Sequence, residues 1–152
     1  MSKDDKDYMR VALNEAKKAF AKEEVPIGAV IVKDDEIIAK AHNLKESNQD
    51  PTAHAEILAL QQAVAKLGGW RLLGCTMYVT IEPCVMCAGA LVESRLERLV
   101  FGAFEPKSGA AGSRFNLTDN DNLNHRLEVE SGLLAEEAKK LMQNFFAQLR
   151  MD

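Results

Sequence analysis

Two short motifs, His54-Ala55-Glu56 and Pro83-Cys84-Val85-Met86-Cys87, constrain this chain more than any other feature. They supply one imidazole, two thiols at Cys-x-x-Cys spacing and one further carboxylate. A fold that uses them together must bring His54, Cys84 and Cys87 around one ion. Three protein ligands leave the fourth tetrahedral position of a zinc ion open, which marks a catalytic site rather than a closed structural one.

The surrounding pattern alternates helices with strands. Met9, Leu13, Ala16 and Phe20 recur at helical spacing, predicting a helix over 8–21 that ends before Pro26. Residues 27–33 and 36–41 read as two strands of a hairpin turned at Asp34-Asp35. A second helix is expected from Pro51, N-capped by Asp50, with Ile57, Leu60, Val64 and Leu67 facing inward and Gly68-Gly69 stopping it. Residues 75–81 form a β-branched, aromatic-rich strand. Pro83 breaks it, and a short apolar helix runs from 84 to about 93. A strand at 98–103, a long loop over 104–124 and a short strand at 126–130 follow. Leu134, Ala138, Leu141 and Phe145 mark a C-terminal amphipathic helix. This order predicts one α/β domain over 1–152, a three-layer α/β/α sandwich around a mixed, about five-stranded sheet.

These placements suit metal-assisted hydrolysis. Cys84 and Cys87 fall in the first turn of a helix on one face, so both sulfurs can reach one ion. The positive helix end and the metal both favour thiolates. Glu56 follows His54 by two residues, which in mid-helix would point the two apart. Off an open N-terminal end they can converge. Zinc lowers the pKa of a bound water to about 7, and a carboxylate beside it can carry the proton to a ring nitrogen and then to a departing amine. The competing reading is a structural zinc site closed by Cys75, His42 or His125. Cys75 lies across a strand and reads as a buried apolar thiol, and His42 as a strand-end residue.

Net charge is −4, which argues against a nonspecific polyanion binder. No apolar run approaches the roughly 18 residues of a membrane span. The charged start, Met1-Ser2-Lys3-Asp4-Asp5-Lys6-Asp7, does not read as a signal peptide. Three cysteines, two at metal spacing, point to a reducing, cytoplasmic setting.

Over residues 25–146 the chain resembles the bacterial tRNA-specific adenosine deaminases of the cytidine deaminase superfamily. The match runs through Val25-Pro26-Ile27-Gly28-Ala29-Val30, Asp50-Pro51-Thr52-Ala53-His54-Ala55-Glu56-Ile57, Glu82-Pro83-Cys84-Val85-Met86-Cys87-Ala88-Gly89-Ala90 and Lys107-Ser108-Gly109-Ala110-Ala111-Gly112-Ser113. The His-x-Glu and Pro-Cys-x-x-Cys elements are the signature of zinc nucleobase deaminases. The longer strings, with Asn43, specify the tRNA branch. The resemblance implies a cytidine deaminase-like fold and hydrolysis of the wobble adenosine, position 34 of a tRNA anticodon and usually an arginine tRNA, to inosine. It implies one Zn²⁺ per subunit on His54, Cys84 and Cys87, water attacking C6 with Glu56 as proton shuttle, Asn43 on the flipped base, and a homodimer. Asn43 is apt because its amide offers donor and acceptor together. Glu105 stands where the family commonly has Asp, near the expected substrate entrance. The chain ends at Leu149-Arg150-Met151-Asp152, without the basic tail of many relatives.

Anticodon loops are recognised through splayed bases, stacking and local phosphate contacts. Lys107 and Arg114 flank the glycine-containing loop and are the leading phosphate partners, with Lys139, Lys140 and Arg150 on the last helix. Phe104, Phe115 and Phe145 are stacking faces to weigh against core packing. Arg95 and Arg98 read as ordinary surface charge. Two other functions compete: a small-molecule deaminase of guanine, cytidine or a deoxynucleotide, and a noncatalytic zinc RNA-binding module, which would not need Glu56.

Overall fold

The computed structural model describes residues 4–151. Met1 to Lys3 of the charged start, and the final Asp152, lie outside the described residues. The element order is α1 (Asp5–Ala21), β1 (Gly28–Lys33), β2 (Glu36–His42), α2 (Ala55–Leu67), β3 (Thr76–Ile81), α3 (Val85–Glu93), β4 (Arg98–Ala103), β5 (Glu128–Ser131) and α4 (Ala135–Met151). The five strands form one mixed sheet in the order β2-β1-β3-β4-β5. The β2/β1 and β1/β3 pairs are antiparallel, and the β3/β4 and β4/β5 pairs are parallel.

Alternation along the strands divides the core between two faces. Ala29, Ile31, Met77, Val79, Leu99 and Phe101 pack with Ala59, Leu60 and Ala63 of α2 and Leu91 of α3. Val30, Val32, Tyr78 and Val100 point the other way, onto Tyr8, Met9 and Ala12 of α1. Ala138 of α4 joins that second side beside Leu13 and Ala103. The expected three-layer sandwich is therefore present. Gly28 permits the close seat of β1 under α1, because a Cβ there would overlap the Ala12 carbonyl oxygen.

Several boundaries differ from expectation, each for a local reason. Helix α1 begins at Asp5, earlier than Tyr8, because Asp4 and Asp7 form a reciprocal capping box. It ends at the Lys22 cap and the left-handed Glu23, so Pro26 does not stop it. Asp34 and Asp35 both take positive φ, as a two-residue hairpin turn requires. Helix α2 begins at Ala55, not Pro51. Asp50 is spent on a turn instead of a cap, since its Oδ1 accepts from the Thr52 N–H (2.8 Å) and hydroxyl (2.7 Å). The inward stripe of α2 is Ala55, Glu56, Ala59, Leu60 and Ala63; Ile57 and Val64 are half-buried and Leu67 is exposed. β5 is shifted to Glu128–Ser131, a short edge strand with little burial to mark it.

Arg98 is not ordinary surface charge. Its guanidinium donates to both carboxylate oxygens of Asp5 (2.9 and 2.7 Å) and to Glu130 (2.8 Å), tying α1 to β4 and β5. That guanidinium holds the Asp5 carboxyl down to about 2. Arg95 turns back to donate to the Val92 carbonyl (3.1 Å).

Candidate active site

The site forms where the starts of α2 and α3 meet, just past the end of β3. His54 and Cys84 are the N-cap residues of these helices, and both have extended backbones (φ −79°, ψ 150° and φ −78°, ψ 179°). An extended residue ahead of a helix throws its side chain off the helix end. Cys87 lies three residues further on, inside the first turn of α3. His54 Nδ1 is 3.7 Å from Cys84 Sγ and 3.5 Å from Cys87 Sγ. The three ligand atoms all lie within 4.8 Å of one another. A tetrahedral zinc with ordinary Zn–S and Zn–N bonds sets such atoms about 3.6 Å apart. The donor set and its spacing fit a metal ion.

Protonation within this trio is shared. The Cys87 thiol donates toward Cys84, which holds Cys84 down to about 4, and His54 adds to the effect. Cys87 is correspondingly pushed far above the usual thiol range, first by that hydrogen bond and then by burial. His54 is raised, chiefly by its contact with Cys84. A dication among the three atoms would take the place of the shared protons.

Glu56, at the second helical position of α2, is buried, with 3% of its surface exposed. Its Oε1 has no hydrogen-bond partner among the described residues. Burial pushes its carboxyl up to about 7. A buried carboxyl with an unpartnered oxygen, beside two thiols and an imidazole, is suited to hold or release a proton near neutral pH.

Asn43 follows β2 and is almost fully buried. Its Oδ1 accepts from the Ala55 N–H at 2.7 Å, so it caps α2 from outside. His54 cannot do this, because its ring faces the cysteines. The acceptor half of the Asn43 amide is therefore committed, contrary to the expectation that both halves are available. Its NH₂ group makes no hydrogen bond to a described residue.

The loop over 104–117 closes one side of the site. The Ala110 N–H donates to the Pro83 carbonyl (2.8 Å), and Gly109 bridges to Cys84. Sequence reasoning missed the residue at its centre, Glu82, which was only one letter of the motif around Cys84. Lys107, Arg114, Phe104 and Phe115 are exposed on this loop. Glu105 is half-buried, and its Oε1 accepts from the Lys107 N–H (3.0 Å). Among the described residues neither Lys107 nor Arg114 is in an ion pair. Phe104, Lys107, Lys139, Phe146 and Arg150 line one groove of about 590 Å³ between this loop and α4. Arg114 and Lys140 do not line it. Phe145 is buried against Phe20, with ring centroids 5.7 Å apart, and belongs to the core.

The remaining titratable candidates lie elsewhere. His42 ends β2, between Glu15 (3.0 Å) and Lys22 (3.0 Å). His125 Nε2 lies 2.6 Å from the Leu96 carbonyl oxygen. Cys75 is buried and free. None of the three joins the His54 cluster.

The family model for MafB19-like deaminases matches residues 3–150. The chain is 55% identical to the tRNA-specific adenosine deaminase of Bacillus subtilis (strain 168) over 146 residues, which is 96% of this chain and 91% of that one. It is similar, at TM-score 0.86 and 42% identity, to a solved structure from biochemical and structural studies of A-to-I editing by tRNA:A34 deaminases, covering 89% of this chain and 98% of that one. It is also similar to the guanine deaminase of Nitrosomonas europaea, at TM-score 0.82 and 27% identity over 97% of this chain and 86% of that one.

The state of Glu56 predicts a pH signature in metal-stripped protein. The folded carboxyl keeps its proton to about pH 7, whereas in the unfolded chain it ionises near about pH 4.3. Between these values the unfolded state binds fewer protons, so stability falls as pH rises, by about 4 kcal/mol at most. Glu56→Gln lacks this loss. Urea unfolding of chelator-treated proteins should show the variant gaining on the parent from pH 5 to pH 8. Parallel pH dependence in the two proteins would contradict the burial of this carboxyl as an ionisable group.

Proposed function

The chain belongs to the tRNA-specific adenosine deaminases, and from that premise we propose that it converts the wobble adenosine, position 34 of an arginine tRNA anticodon, to inosine and ammonia with one Zn²⁺ per subunit. The observation that carries this reading is the convergence of His54, Cys84 and Cys87 beside the buried, unpartnered Glu56 oxygen.

His54 and the sulfurs of Cys84 and Cys87 would hold the metal. Zinc, when bound, supplies the Lewis acidity that makes water a nucleophile near neutral pH. Glu56 takes a proton from the water that attacks C6 and delivers it to the adjacent ring nitrogen. It then moves a proton to the departing amine, so that adenosine and water give inosine and ammonia. Its raised pKa suits both directions of transfer. Asn43 donates from its NH₂ to an acceptor on the flipped base, its carbonyl being held by α2.

Affinity for RNA comes from local charge, since the whole chain carries −4. Lys107 and Arg114 meet phosphates, and Glu105 orders the backbone at Lys107. Lys139 and Arg150 extend the cationic side of the groove. An anticodon loop is already unpaired, which keeps the cost of extruding its base to a few kcal/mol at most. The active form is a homodimer, and the exposed Val85 and Met86 on α3 offer an apolar contact face beside the site. The whole chain, 1–152, works as one domain in the cytoplasm, where thiols remain reduced. All three cysteines are free, and no described helix is long and apolar enough to cross a membrane.

A second reading, deamination of free guanine, is favoured by the likeness to the Nitrosomonas europaea enzyme, at about half the identity of the Bacillus subtilis relative.

Two variants separate metal from chemistry. Cys87→Ala should purify without stoichiometric zinc, whereas Glu56→Ala should keep it and lose at least roughly 100-fold in turnover of an anticodon stem-loop. Full zinc in the first, or parent turnover in the second, would remove that residue from its assigned role.

The divided amide of Asn43 is tested by Asn43→Asp, which keeps the acceptor for Ala55 and removes the donor. Fold and zinc content should be those of the parent, with kcat/KM lowered. Asn43→Ala should in addition cost about 1 kcal/mol, as loss of a helix cap does. Parent-like kcat/KM in Asn43→Asp would mean that the NH₂ group does not touch the base.

A further inference from the structure

One buried carboxylate joins the metal-type cluster to the loop beside it. Glu82 is the second residue before Cys84, is 3% exposed, and lies outside the trio of metal-type ligands. Its Oε1 accepts from the Glu105 N–H (2.9 Å) and from the Ser113 hydroxyl. Its Oε2 accepts from the Ala111 N–H (3.0 Å) and the Ser113 N–H (2.9 Å). Four donors from one loop thus face two oxygens of a single side chain, with no cation among them. This is how an acidic side chain gathers a turn of backbone, and charge-assisted bonds of this kind are about twice as strong as neutral ones. Gly109 completes the arrangement, since a Cβ there would overlap the Glu82 carboxylate itself. The residues so gathered flank Lys107 on one side and lead directly into Arg114 and Phe115 on the other. The same loop contacts the start of α3 through Ala110 and Pro83.

We propose that Glu82 is a positioning residue for substrate: its carboxylate seats the 105–113 loop against the start of α3, so that the RNA-facing side chains and the metal-binding side chains keep one fixed geometry. This rests on the reading of the site as an RNA deaminase. A glutamine has the same shape but turns an NH₂ group toward backbone donors, leaving N–H groups without an acceptor. Glu82 would then act on substrate binding and not on zinc retention or proton transfer. A merely structural acid would lower overall stability without separating KM from kcat.

The test compares parent, Glu82→Gln and Ser113→Ala for zinc content, amide hydrogen exchange, and kcat and KM on an anticodon stem-loop. Glu82→Gln should keep zinc and near-parent kcat, expose the amides of Glu105, Ala111 and Ser113 to faster exchange, and raise KM by about tenfold or more, the equivalent of one lost charge-assisted hydrogen bond. Ser113→Ala removes one donor from an exposed residue and should shift exchange and KM in the same direction by less. Should Glu82→Gln fail to fold, Ser113→Ala alone decides. Parent-like exchange and KM in the folded variants overturn the proposal, as does zinc loss in Glu82→Gln, which would place the residue in the metal-binding cluster. An inactive parent would instead overturn the RNA reading.

Discussion

The whole site depends on two helices beginning at one point. Helices α2 and α3 start beside the end of β3, and the residue just ahead of each is a metal-type ligand instead of a cap. That choice has a cost: neither His54 nor Cys84 satisfies its own helix through a side-chain cap bond. For α2 the N–H of Ala55 is met by Asn43, just past the end of β2, the strand on the far side of β1 from β3. In return, both positive helix ends face the same small volume, where they favour thiolates. The parallel β3/β4 pair supports this, because the crossover between those strands is α3 itself.

Burial then divides the acidic residues by task. Glu56 and Glu82 are equally buried, yet one has an oxygen without a partner and the other has donors on both oxygens. An unpartnered carboxyl in a dry site has a raised pKa and can exchange protons. A carboxylate surrounded by N–H groups is fixed in place and serves as a structural anchor. Both precede Cys84 in sequence, Glu56 at the start of α2 and Glu82 just after β3, and together they set the chemistry and the neighbouring loop.

Much of this was legible in the chain. The His-x-Glu and Cys-x-x-Cys spacings name the clustered side chains directly, and the helical and strand periodicities give the nine described elements and the three-layer class, but not which helix covers which face. The Asp34-Asp35 hairpin also follows from local turn chemistry. The start of α2 does not, because Asp50-Pro51 imitates a capped helix while Thr52 captures the Asp50 side chain. Arg98 and Glu82 were hidden for a different reason. Their partners, Asp5 and residues 105–113, are far away in sequence, and no local pattern marks a long-range ion pair or a carboxylate that gathers a loop. The same holds for Asn43, whose residue type suggests a base contact but not its hold on α2.

The most direct measurement is product formation on a minimal anticodon stem-loop carrying a wobble adenosine, with free guanine, cytidine and adenosine in parallel. The account predicts inosine from the stem-loop and no ammonia from the free compounds. Ammonia from free guanine with an unchanged stem-loop would contradict it, leaving the metal-type cluster and Glu56 in place but assigning them to a small-molecule substrate.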